Sequence, residues 1–156
     1  MPGAHRGRTS LLRVRVTMML CDAVQVADGK LYILGGGWSM TGPEPTPSAV
    51  AVKVDVDLVE ADQQHHWELW LEDADGQPVM VPTADGDRPL EVRGDFQVGR
   101  PVGVPEGSPV DLPLAVNFGP IPLGPAGRYI WRLSIDGNTE ENWRLAFSTR
   151  AAAPIA

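Results

Sequence analysis

The chain has 156 residues and a formal charge of −7, from 13 Lys and Arg against 20 Asp and Glu, and it holds one Cys. Its length suits a single domain; its acidity disfavours binding to phosphate backbones, which rests on clustered Lys and Arg; and a lone thiol can form neither an internal disulfide nor a multi-cysteine zinc site. No stretch reads as a transmembrane span or a cleavable signal peptide, so the expectation is a cytoplasmic protein with no nucleic acid and no membrane among its partners.

Residues 1–10 carry Arg6 and Arg8 without an apolar period and read as a disordered basic tail. Leu12, Val14, Val16 and Met18 then alternate with Arg13, Arg15 and Thr17, the period of a half-buried strand. Val24 and Val26 lead into Asp28-Gly29, a dipeptide suited to a type I′ turn, and Lys30 to Leu34 return as a strand. Because Leu31, Tyr32, Ile33 and Leu34 form a continuous apolar run, this strand is expected to be covered on both faces. Gly35, Gly36 and Gly37 mark a bend, a bulge or a close backbone approach. Pro43, Pro45 and Pro47 follow and define a loop that crosses from one sheet to another.

Val50, Val52, Val54 and Val56 form the next strand, and the run from His66 to Glu72 sets Trp67, Leu69 and Leu71 on one face against Glu68, Trp70 and Glu72 on the other. Val79 to Val81 and a turn-rich segment from Thr83 to Arg88 precede a strand with Leu90, Val92, Phe96 and Val98 inward, in which Gly94 is read as a bulge. The strand from Val110 to Phe118 contains Pro113, which places it at an edge or a non-bonding position. Tyr129, Trp131, Leu133 and Ile135, the Asp136-Gly137-Asn138 turn, and Trp143, Leu145 and Phe147 complete a C-terminal ribbon; residues 151–156 read as a frayed tail. About eight short, mainly antiparallel strands over residues 11–150 predict a single all-β sandwich, and Gly127-x-Tyr129 with a Trp on a middle strand is similar to immunoglobulin-like sandwiches.

Four residue groups invite a chemical reading. Gly35-Gly36-Gly37 lacks the Lys and Ser or Thr of a phosphate loop, and Cys21 has no base beside it, while Asp22 would raise its pKa. His65 and His66 are consecutive and point to opposite faces of a strand, so they cannot share a metal. Asp73, Asp75, Asp85 and Asp87 could offer oxygens to calcium, but Asp-Gly is also a common turn signal. No cofactor fingerprint is present, and neither a cofactor nor a metal is expected.

Two sets of candidate residues remain. Trp38 stands between a glycine-rich bend and a proline-rich loop, as a binding platform or as a lid on the core, and with Tyr32 and the loop acid Asp22 it could serve a carbohydrate binder, a small-molecule binder or a hydrolase. Trp70 and Ile130 are apolar residues on faces otherwise polar, which favours contact with a protein partner or a copy of the same chain. An antiparallel register that pairs Glu72 with Arg128, Trp70 with Ile130 and Glu68 with Arg132 would make this spot an apolar patch rimmed by charge. A non-catalytic binding or assembly module is the leading reading.

Cys21-Asp22-Ala23, Val26-Ala27-Asp28-Gly29-Lys30-Leu31-Tyr32, Leu34-Gly-Gly-Gly-Trp38 and Tyr129-x-Trp131-x-Leu133-x-Ile135-Asp136-Gly137 carry a further signal. On these motifs the chain, from about Val14 to Arg150, resembles an uncharacterised family of small, mostly actinobacterial proteins, a domain of unknown function. The resemblance implies kinship and a common fold, and no activity.

Overall fold

The computed structural model describes residues 12–154, so the predicted tail of residues 1–10 lies outside the described residues. Apart from one 3-10 turn at Leu58–Glu60, every regular element is a strand. One sheet has the order β2-β1-β4-β9, built from β1 (Val14–Ala27), β2 (Lys30–Gly36), β4 (Ser48–Val56) and β9 (Val110–Phe118). The other has the order β3-β11-β10-β5-β8, from β3 (Met40–Thr41), β5 (His65–Asp73), β8 (Glu91–Phe96), β10 (Arg128–Ile135) and β11 (Arg144–Thr149). The expected β-sandwich is therefore present. Residues 42–47 cross between the sheets as the prolines predict, and β9, with its Pro113, is an outer strand.

Period-two alternation drives the packing, because each strand turns one row of side chains inward. From the first sheet come Leu20, Val50, Val52, Val54 and Val56; from the second come Trp67, Leu69, Leu71, Trp131, Leu133 and Ile135, all buried in one core. Each fully buried aliphatic side chain contributes about 1.5–3 kcal/mol. Trp131 stacks on Phe118 of the facing sheet at 4.8 Å, joining the two layers.

Three local expectations are corrected. Gly94 is no bulge: it lies in register opposite Trp67, and a Cβ there would come within 2.9–3.0 Å of the indole, so the glycine is the space into which that ring packs. The segment read as turns from Thr83 contains β7 (Gly86–Pro89), which pairs with β6 (Met80–Thr83) in a hairpin of its own. Too polar to show a strand period, β7 takes its shape from its partner. The run Leu31 to Leu34 is not covered on both faces, because β2 ends its sheet and is mostly exposed.

The β5–β10 pairing is antiparallel, as expected, but its register differs by two residues. Glu72 faces Ile130, Trp70 faces Arg132 and Glu68 faces Ser134. The hydrophobic alternation selects the face and so leaves shifts of two residues open. What selects among them is Asp136, at φ 51° in the turn after β10. Its backbone N–H donates to the His66 carbonyl at 2.7 Å and its Oδ1 accepts from the His66 N–H at 2.8 Å, which pins the start of β5 to the end of β10.

Oδ2 of the same aspartate lies 2.7 Å from Nδ1 of His65, whose Nε2 is 2.8 Å from the Glu60 carbonyl oxygen. Two acceptors on opposite ring nitrogens suit an imidazolium, which donates from both. Burial pulls the His65 pKa down, but the hydrogen bonds to Asp136 and Glu60 outweigh it, and the net shift is upward from 6.5.

Two outcomes follow from this packing. Gly94→Ala should destabilise the domain by about 1–3 kcal/mol through overpacking against Trp67, read as a lower melting temperature; an unchanged melt would refute the assigned packing. Because the folded pKa of His65 exceeds its unfolded value, its stabilisation is full below about pH 6.5 and fades as pH rises through the folded pKa. The difference in melting temperature between wild type and His65→Gln should therefore shrink as pH is raised across that range, and a difference that grows would contradict the pairing.

Candidate functional site

The outer face of the five-stranded sheet binds its own polar groups. Glu72 accepts from the Trp70 indole N–H at 2.7 Å through one oxygen and from Arg132 Nε at 2.8 Å through the other. Arg93 lies 2.7 Å from Glu91 and 3.6 Å from Glu68, and His66 lies 2.9 Å from Asp95. Trp70 and Ile130 are half-buried, and Arg128, with Ser148 opposite it, extends past the last β5 pair. The surface around Trp70 is thus a lattice of charge-assisted bonds, largely exposed beyond Glu72 and Arg132, in place of the open apolar spot the other register would create.

Asp22, Tyr32 and Trp38 do not converge. Trp38 packs edge-on against Phe147 at 6.1 Å and leans on the main core, in the position of a lid. Its indole N–H is buried without a hydrogen-bond partner, beside a cavity of about 30 Å³ lined by residues such as Pro43, Ile121 and Phe147. That is water-sized, well below the roughly 300–1,000 Å³ of small-molecule sites. Tyr32 stands on β2, and Asp22 stands on β1, where its carboxylate fills the space that a Cβ on Gly35 would need. Gly35 and Gly37 hold positive φ angles of 61° and 92°, and Asp22 and Met19 lie against Gly35 and Gly36, so of the bend, bulge or close approach expected of the glycine run the structure has a bend with close packing.

Cys21 is fully buried with Sγ 3.7 Å from the Ala49 carbonyl, and burial, then the Asp22 charge, push its thiol pKa up. It is a packed side chain. Asp73 Oδ1 accepts from the N–H groups of Asp75 and Gln77, which is turn chemistry. His65 and His66 do point to opposite faces: one is buried at Asp136, the other is half-exposed at Asp95.

The arrangement the sequence reading missed is the hairpin of β1 and β2. β1 is 14 residues long and β4 only 9. Val14 to Cys21 pair with β4, and the second half of β1 overhangs and pairs with β2 through a turn at Asp28 and Gly29, both at positive φ. At Asp22 and Gly35 the hairpin bends over the outer face of its own sheet, where Val24 and Leu31 pack on Cys21, Ala49, Ala51 and Ala115. The alanines leave room for it, and Asn117 clasps it by accepting from the Val24 N–H at 3.1 Å and donating to the Val24 carbonyl at 2.8 Å.

The bend leaves an apolar strip in solvent. Leu34 is 70% exposed, Tyr32 52% and Ile33 40%, with Met19 and Val26 exposed beside them. The outer strands of the two sheets differ in how their open backbone edges are protected. β9 carries Pro113, β8 alternates Glu91, Arg93 and Asp95, and β3 is two residues long. β2 has one charge, Lys30, and neither proline nor a bulge-forming register shift along its pairing with β1.

Among the described residues no helix is long and apolar enough to cross a membrane. A comparison with curated proteins finds no match. A family model, described as a family of unknown function (DUF6941), matches residues 16–148, from within β1 to within β11. The match takes in both sheets and the hairpin, and the chain belongs to the DUF6941 family of unknown function.

Proposed function

We propose that the protein is a non-catalytic binding module that contacts a protein partner or another copy of itself, and that the contact is made by β2. The observation that carries this reading is the apolar strip Tyr32-Ile33-Leu34 on an open strand edge, the one outer strand of the two packed sheets, among the described residues, that lacks a protective device. A strand edge recruits an extended segment through main-chain hydrogen bonds, and the alternate side chains give specificity. Large exposed apolar side chains next to each other are uncommon on a surface with no partner.

This places the contact on the opposite sheet from Trp70 and Ile130, whose polar surroundings are already satisfied within the chain. The rival, a carbohydrate or small-molecule binder or hydrolase, would be supported by close carboxylates over an aromatic floor. The cavity at Trp38 is water-sized, and the one of about 430 Å³ that Tyr32 lines includes neither Asp22 nor Trp38. We also read the connectivity as immunoglobulin-like, supported by antiparallel β1-β4-β9 on one layer, β8-β5-β10-β11 on the other and a short β3 parallel to β11. A cytoplasmic setting fits the single buried thiol.

The test compares the full chain with a variant carrying Tyr32→Thr, Ile33→Thr and Leu34→Thr, substitutions that keep strand propensity. Both are tagged, expressed in the source cells and analysed by native mass spectrometry. The wild type should be recovered in a protein complex, with itself or another chain, that the variant loses while keeping its melting temperature. Identical complexes for both, or none for either, would overturn the reading.

A further inference from the structure

We propose that the partner of β2 is β2 of a second copy, joined antiparallel about a two-fold axis at Ile33, so that two four-stranded sheets merge into one. This inference rests on the binding-module reading and names its partner. In a two-residue hairpin the residues flanking the turn exchange both backbone bonds and the pattern then alternates. Lys30, Tyr32 and Leu34 therefore turn their backbone groups toward Ala27, Gln25 and Ala23 of β1, and Leu31 and Ile33 turn theirs outward. A two-fold at Ile33 brings the outward N–H and C=O of Ile33 onto those of its symmetry mate, which an isologous interface requires.

The side chains select this register. Opposing residues share a face, so the axis at Ile33 sets Tyr32 against the partner's Leu34 twice, an aromatic on an aliphatic at the closer, non-hydrogen-bonded spacing. It also sets Lys30 toward the partner's Gly35-Gly36 bend, where the Asp22 carboxylate lies against Gly35 and Met19 and Ile33 lie against Gly36. Neither Lys30 nor Asp22 makes an ion pair among the described residues. The two-fold brings them together at both ends of the junction. With the axis at Tyr32, Lys30 would face the partner's Leu34 and the Asp22 charge would have no counterpart. Two of the other outer strands suit self-pairing less: β9 contains Pro113, which lacks a donor, and β3 is two residues long.

The experiment is sedimentation velocity and native mass spectrometry of the full chain over a concentration series, with backbone amide exchange followed residue by residue. Dimer should grow with concentration, and exchange at Ile33 should slow with it while Tyr32 and Leu34, bonded to β1, stay unchanged. Leu34→Arg, at a highly exposed position, should weaken dimerisation about tenfold by removing both Tyr32–Leu34 pairs. Lys30→Asp should weaken it, and adding Asp22→Lys should restore it; the exchange pattern gives an answer even where Asp22→Lys perturbs the bend. A dimer indifferent to Leu34→Arg, or slowed exchange at Tyr32 in place of Ile33, would overturn the proposal. A wild type that stays monomeric while the β2 threonine variant loses a different protein would overturn the self-pairing and leave the binding-module reading standing.

Discussion

A 14-residue strand beside a 9-residue one leaves backbone donors and acceptors with no neighbour, and much of this protein's shape follows from how that overhang is satisfied. β1 cannot end at Cys21, because the chain continues extended through Val26 to the Asp28-Gly29 turn, so it folds its surplus against β2. The hairpin then needs a floor, and the small outer-face residues Ala49, Ala51 and Ala115 provide one for Val24 and Leu31. Larger residues at those positions would leave no room for it. Asn117 matches both backbone groups of Val24 and holds the bend closed. The same bend that satisfies β1 exposes β2, since only one face and one edge of a two-stranded flap can be covered by the sheet beneath it.

The two layers treat their outer faces differently. On the β5–β10 layer, Glu72 joins Trp70 to Arg132, and Glu68, Arg93, Glu91, His66 and Asp95 continue the lattice. Exposed ion pairs of this kind contribute little individually, but they turn a sheet face that bears a tryptophan into a wet surface. On the β1–β2 layer the outer face is charged at one end, where Lys53 pairs with Asp55 and Asp111, and aliphatic at the other, where the hairpin caps it with its own outward side aliphatic and aromatic. The exposed apolar side chains of β1 and β2 therefore adjoin one another at one edge.

Asp136 links sequence to register on the charged layer. Its carboxylate reaches both His65 and the His66 backbone, so one residue at a positive φ fixes how β5 slides on β10 and holds a buried histidine in a two-donor site. A neutral imidazole would leave one of those acceptors unmatched, which is why the shift in its pKa follows from geometry.

The sequence by itself determined the fold class, the inward rows of β4, β5 and β10, the Asp28-Gly29 turn, the opposite facing of His65 and His66, and the outer position of β9. All of these rest on interactions between near neighbours in the chain or on a period of two, and both are visible in one dimension. It did not determine the β5–β10 register, since a shift of two residues preserves every inward face and only the contact of Asp136 with His66 separates the alternatives. Nor could it show that Gly94 is a space for Trp67, because the glycine and the ring are 27 positions apart (94 − 67) and meet only across strands. The apolar run Leu31 to Leu34 reads as a covered strand in isolation; whether anything covers it depends on strand order, which tertiary structure decided by giving β4 to the first half of β1 and leaving β2 at the edge.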